Sequence, residues 1–372
     1  MSLNGTFEPA ATTDRGGEPD RPDRIGIHIL LEALLALAFG GALFMLYRTE
    51  AALSTAAGRE AVIVALVPLL LLGVAVAITF RVGAVNLAAG ATAVAGAALF
   101  SGNTDRGLVV ALLAAIGGAL ACGLVIAVLV VVLRVPGWLV SAGAAAAVWL
   151  WVFDHVNVAQ LSPEPFAQLP TSTAWIWLIC VAALSIFAGV IGALNGWRSL
   201  LGACRDAVTG RADVKTVAVT AAALSVSAVL AGLAGVWVVW TAADGSAVIA
   251  GLDPVLVTAF PVAAVLLGGT SALGRRGGIL GTVLATLLLM TVLLLHETYG
   301  WAFDRLWILL GAAVLGLVVT RLVEVFGTAA PVSESESGPA DFEPAPEPAA
   351  AHNMDLYATD IDPYRRQGID GR

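Results

Sequence analysis

Charge is what this sequence has least of. Only 12% of its residues are Asp, Glu, Lys or Arg, about half the fraction usual in a water-soluble domain, while 59% are hydrophobic and the mean hydropathy is +0.91. Lysine occurs once, at Lys215, and Val214 precedes it. The Gly-Lys pair of a phosphate-binding P-loop is therefore absent, which excludes ATP hydrolysis by that route. Three cysteines, Cys122, Cys180 and Cys204, are too few and too scattered for a disulfide framework or a metal cluster, and two of them lie in apolar runs as expected of small core residues. The four histidines, His28, His155, His296 and His352, fall in no His-Glu-x-x-His pattern, and no Gly-x-Ser-x-Gly nucleophile elbow accompanies them. Nothing here marks an enzyme, a cofactor site or a metal site.

What is present is a succession of apolar runs. A bilayer-spanning helix needs about 20 largely apolar residues, and ten segments approach that length, at 25–47, 61–80, 82–100, 108–133, 138–153, 174–197, 217–240, 258–273, 278–295 and 305–326. They predict an all-α, polytopic membrane bundle of about ten transmembrane or re-entrant helices. Segments 82–100, 138–153 and 258–273 are short or interrupted by Gly and Pro, as re-entrant or broken helices are when protein surrounds them. The first run is too long for a signal-peptide core and is expected to remain as a span. Residues 1–24 and 328–372 form polar tails around a transmembrane body at 25–327, and these tails carry the whole of the net charge of -8. The body is neutral, so the acidic balance says nothing of a solute, and no basic stripe offers a nucleic-acid surface. The Pro/Ala/Glu-rich C-terminal tail is expected to be disordered.

Flanking charges orient the spans. With ten crossings and a cytoplasmic N-terminus, Arg81, Arg134, Arg198, Arg205, Arg211, Lys215, Arg275, Arg276 and Arg321 fall inside, against Arg48, Arg59, Arg106 and Arg305 outside. Both termini are thus expected in the cytoplasm and the protein in the cell membrane. All ten tryptophans lie near expected helix ends, where amphipathic rings suit the headgroup region. Closely spaced small residues, such as Gly192 with Gly196 and Gly277 with Gly281, predict close helix contacts. Ionisable groups inside spans mark gradient-driven transporters; here His28 and Glu32 lie one turn apart in the first span, where pairing or snorkelling also accounts for them.

Three stretches resemble the membrane permease subunits of ATP-binding cassette importers for monosaccharides of the ribose and xylose type, whose relatives move nucleosides and branched-chain amino acids. Arg81–Ala97, RVGAVNLAAGATAVAGA, is similar to that family's Gly-Gly-Ile-Asp-Leu-Ser-x-Gly segment, with Asn86 at the position of the Asp, as in the nucleoside-type relatives. Val214–Gly235 looks like the helix after the family's main cytoplasmic loop. Leu266–Leu284, LLGGTSALGRRGGILGTVL, is close to the sugar permeases' Gly-Gly-Thr-Ser-x-x-Gly-Gly-Arg-Gly run followed by Gly-Thr. In the loop before Val214 only Gly202, Asp206, Ala207 and Gly210 echo the family pattern.

The resemblance implies a permease subunit that pairs with a second copy or a close relative in the lipid bilayer, docks cytoplasmic ATPase subunits and receives solute from an extracytoplasmic solute-binding protein. Asn86, Thr92, Ser141, Thr270 and Ser271 are the expected path residues, because neutral hydroxyls and amides in broken segments can bind a sugar without trapping it; the alternative is that these side chains satisfy local backbone. Arg198, Arg205, Asp206, Arg211 and Lys215 are the expected ATPase-coupling residues, or else a plain topology signal. A stand-alone gradient-driven transporter and a membrane scaffold are the competing classes. The topology has a direct test. In a background without the native cysteines, single cysteines at Ser162 and Ser246 should react with an impermeant thiol reagent from outside, and those at Ser199 and Ser333 should not. Labelling of the Ser246→Cys variant from inside only would invert the assignment.

Overall fold

The computed structural model describes residues 25–157, 161–164, 166, 169–170, 172–193, 196, 200–201, 203–204, 213–241, 253–271 and 279–327, all within one compact unit, Met1–Ala329. Among the described residues the chain is all-α, with helices α1 (Ile25–Thr49), α2 (Ala56–Arg81), α3 (Ala89–Ser101), α4 (Leu108–Val131), α5 (Gly137–His155), α6 (Thr173–Ala193), α7 (Val214–Thr241), α8 (Pro254–Leu267), α9 (Ile279–Tyr299) and α10 (Arg305–Gly327). Seven of them, α1, α2, α4, α5, α7, α9 and α10, are long and apolar enough to cross a membrane. Of the three doubtful segments, 138–153 is a full helix of 19 residues. The other two are half-length: α3 has 13 residues and α8 has 14, or about 20 Å of helix against a hydrocarbon core of about 30 Å.

The boundaries have local causes. Thr55 caps α2 by accepting a 3.0 Å bond from the Gly58 N–H. Helix α8 begins four residues before the expected segment because Asp253 accepts from the Leu256 N–H at 3.0 Å and Pro254 follows it, a residue pre-set for the first helical position. Both α2 and α8 end in the same motif. Beyond α2, Gly83 takes φ +71°, its N–H bonds Phe80 O and the Ala84 N–H bonds Thr79 O; beyond α8, Gly269 takes φ +76°, its N–H bonds Leu266 O and the Thr270 N–H bonds Val265 O. A left-handed residue at each of these positions is the reason for glycine.

Helix α7 packs against α2, α3 and α4, while α8 packs against α2, α3, α9 and α10. The contacts are made through missing Cβ atoms. A Cβ on Gly96 would lie 2.7 Å from Gly232 O, one on Gly232 would lie 2.7 Å from Ala119 Cβ, and one on Gly235 would collide with Ala93 O. Such approaches supply van der Waals packing where lipid offers no hydrophobic drive. Of the glycines expected to do this from spacing, Gly281 does, meeting Gly268 rather than a helix-mate, whereas Gly196 has nothing within 4 Å of its Cβ position; Gly192 carries no described side-chain environment and Gly277 lies outside the described residues. The outward faces of α1, α4, α6 and α10 stay apolar and bare, with Leu37, Val109, Ile179 and Trp307 each at least 64% exposed. Bare apolar surface on this scale is a lipid face. Cys180 also lies on it, not in the core, while Cys204 is buried.

Trp237 departs from the interfacial belt. It is buried, and its indole N–H donates a 2.9 Å bond to Val64 O. Pro68 is the reason: it stands inside α2 without the N–H that would bond the carbonyl four residues earlier, and that carbonyl belongs to Val64. The α7 indole replaces the missing helix bond. In α8, Pro261 likewise removes the helical partner of Val257 O, which packs against Gly90 so closely that a Cβ there would lie 2.6 Å away. Trp237→Phe should therefore cost about 1 kcal/mol, the net worth of one hydrogen bond, and the cost should vanish in a Pro68→Ala background, where residue 68 regains its donor. Equal losses in both backgrounds, measured by reversible denaturation in detergent, would show that the indole matters only for packing.

Candidate functional site

The deepest irregular backbone lies between α2 and α3. Residues 82–88 leave the helix, yet most of their backbone N–H groups find partners among the described residues. Besides the two turn bonds from Gly83 and Ala84, the Asn86 N–H donates to Thr79 Oγ1 at 3.2 Å, the Leu87 N–H to Ser141 Oγ at 3.0 Å, and the Ala88 N–H to Asn86 Oδ1 at 3.0 Å. Ser141 Oγ in turn donates to Val85 O at 2.8 Å, and Asn86 Nδ2 donates to Ser227 Oγ at 3.0 Å. Ser227 is thirteen residues along the 28-residue α7, about 20 Å from either end. The break is thus held far from both ends of α7, by α2, α5 and α7 together.

Expectation and placement can now be compared residue by residue. Asn86, Thr92, Ser141, Thr270 and Ser271 are all buried. Asn86 and Ser141 meet at the first break, where each spends its hydrogen bonds on protein groups. Thr92, on α3, faces Cys122 of α4 at 3.7 Å. Thr270 and Ser271 sit beyond the end of α8, at the second break. Among the described residues Thr270 Oγ1 is the buried side-chain atom with no hydrogen-bond partner. Spacing gave no hint of Thr79 and Ser227, the groups that hold Asn86, because a single hydroxyl in an Ala-rich helix has no signature until its neighbour is known.

The expected coupling loop is seen only at its end. Arg198, Arg205, Asp206 and Arg211 lie outside the described residues. Lys215 is exposed in the first turn of α7. Just before it, Asp213 accepts the Thr216 N–H at 2.9 Å and so caps α7; hydrogen bonding from Thr216, side chain first and backbone second, holds the Asp213 carboxyl below its ordinary pKa. Cys204 lies against the same turn, with its thiol 3.8 Å from Thr216 O. In α1, Glu32 is half-buried, and the side chain of His28 lies outside the described ones. At the far end of α8, Arg305 Nη2 pairs with Asp253 Oδ2 at 2.9 Å and ties the start of α8 to the start of α10.

A multi-pass, all-α integral membrane protein, with two half-length helices inside the bundle, α3 following one glycine turn and α8 ending in another, is the class that this arrangement defines. No protein-family model, no curated protein and no solved structure matches the chain.

The bracing of the first break is testable by substitution. Ser141→Ala orphans the Leu87 N–H and the Val85 carbonyl, so it should lower stability by about 1–3 kcal/mol. Thr92→Val removes only a weak contact to sulfur and should cost less than half as much. Equal losses for the two variants, read from unfolding in detergent, would show that Ser141 is not a brace.

Proposed function

We propose that the chain is the permease subunit of an ATP-binding cassette importer, forming the path for a small neutral polar solute of the monosaccharide class. The observation that carries the reading is the pair of half-length helices α3 and α8, each next to a glycine-turned break lined by Asn, Ser and Thr and without a charged side chain among the described residues of either break. Broken helices of this kind form solute sites in transporters, and neutral hydroxyls and amides suit a sugar better than an ion. The resemblance of residues 81–97, 214–235 and 266–284 to sugar permeases supports the same reading. In it, all ten helical segments lie in the cell membrane, both tails are cytoplasmic, a second copy or a relative completes the path, and a solute-binding protein delivers from outside. Nucleosides and branched-chain amino acids are the neighbouring substrate classes.

The coupling contact in this proposal is the segment Arg198–Lys215, with Arg198, Arg205, Asp206, Arg211 and Lys215 meeting the ATPase. It leads through the Asp213 cap into α7, the helix that holds Asn86 through Ser227. A push on the loop would therefore reach the first break through one rigid element.

Energy coupling decides between this reading and a lone transporter, for which His28 and Glu32 of α1 are the candidate coupling groups. The purified chain should hydrolyse no ATP, and vesicles containing it should import solute only when the cognate ATPase subunits and ATP are added. Import driven by a proton or sodium gradient with this chain alone would overturn the importer reading.

A further inference from the structure

Fourteen polar side chains are buried among the described residues, and Thr270 is the one whose side-chain oxygen has no partner. The others show how this chain normally meets the cost of burying a hydroxyl. Within helices a threonine bonds the carbonyl of the preceding turn, as Thr286 does to Thr282 O and Thr291 to Leu287 O, both at 2.8 Å. Outside helices a side chain braces a break, as Asn86 does. Thr270 does neither. It stands one residue beyond the left-handed Gly269, where the helix has ended: Leu266 O accepts from the Gly269 N–H at 3.0 Å and Val265 O from Thr270's own N–H at 3.2 Å, and Thr270 Oγ1 bonds neither carbonyl. The N–H groups of the turn are bonded and the side-chain hydroxyl is not.

The turn itself is closely packed. Gly268 is pressed against Gly281 and the Thr282 N–H, Gly269 against the side chain of Leu31, and Leu266 against Gly316. The turn is therefore wedged between α1, α9 and α10. The oxygen is also sealed from the aqueous phase, since Thr270 is 1% exposed. A buried hydroxyl without a partner is a cost that a valine of the same shape would avoid, so its presence calls for a partner absent from this conformation.

We propose that Thr270 Oγ1 is a solute-binding hydroxyl, sealed in this conformation and presented to the path when the Gly268–Gly269 turn moves, where it exchanges hydrogen bonds with a neutral, hydroxyl-bearing solute. The inference rests on the permease reading and deepens it by naming a binding group and a ligand chemistry. The turn is suited to such motion: two successive glycines absorb a large change in φ and ψ, and the ion pair Asp253–Arg305 anchors the other end of α8.

The test uses the full chain reconstituted with its ATPase subunits and solute-binding protein, with radiolabelled D-ribose, D-xylose and D-glucose as probes. Thr270→Val keeps the shape and removes the hydroxyl, while Thr270→Ser keeps the hydroxyl. The Val variant should import the transported sugar about tenfold more slowly, the loss of roughly one productive hydrogen bond, with a melting temperature in detergent equal to the wild type or about 2 °C higher. The Ser variant should import at the wild-type rate. Import by the Val variant at the wild-type rate overturns this proposal and leaves the permease reading standing. A lowered melting temperature for the Val variant also overturns it, because the hydroxyl would then have a structural partner such as a buried water. Failure of the wild type to import any of the three sugars overturns the monosaccharide reading and this inference with it.

Discussion

The structure depends on one constraint: a backbone polar group inside the hydrocarbon layer must find its partner within the protein, because lipid offers none. A continuous helix meets that demand automatically, and a broken one does not. Several irregularities among the described residues are accordingly answered from another helix or from a turn. Pro68 opens a carbonyl in α2 and Trp237 of α7 fills it. The break at 82–88 frees several amides, and Thr79, Ser141 and the side chain of Asn86 take three of them. The glycine turns after α2 and α8 return two N–H groups each to the helix just left.

These repairs also set the packing. For Trp237 to reach Val64, α7 must lie directly against α2; for Asn86 to reach Ser227, α3 must begin beside the middle of α7. Such proximity requires Gly96, Gly232 and Gly235, at which any added Cβ would meet neighbouring backbone or side chain. Small residues and buried hydrogen bonds are therefore two parts of one device. Its functional consequence is a first break whose side chains are committed to the protein and a second break, at 268–271, whose Thr270 hydroxyl is uncommitted. The two breaks look alike in sequence, each a glycine turn followed by short polar side chains, and differ in how those side chains are used.

Much of the fold was legible beforehand, for reasons that particular elements make plain. Segments such as 61–80 and 217–240 announce themselves because crossing a bilayer demands an unbroken apolar run, and they appear as α2 and α7. The weakness of 82–100 and 258–273 was legible as well, since Gly and Pro interrupt them. Their extents were less so: α8 starts at Pro254 through the cap formed by Asp253, and α3 starts at Ala89 only because residues 82–88 are occupied elsewhere. Trp237 misled, because an aromatic residue near a helix end belongs in the headgroup region unless a carbonyl needs its N–H, and that need arises from a proline 169 residues earlier in the chain.

Sequence alone determined that this is an all-α membrane chain, because low charge and long apolar runs fix a solvent and a secondary structure through local physics. It also marked Asn86, Ser141 and Thr270 as polar groups in broken apolar segments. Only the tertiary structure decided what each one does, since Asn86 and Ser141 find partners on other helices and Thr270 finds none. A hydrogen bond between distant segments depends on register and distance, and neither is encoded in the composition of the segment that carries it.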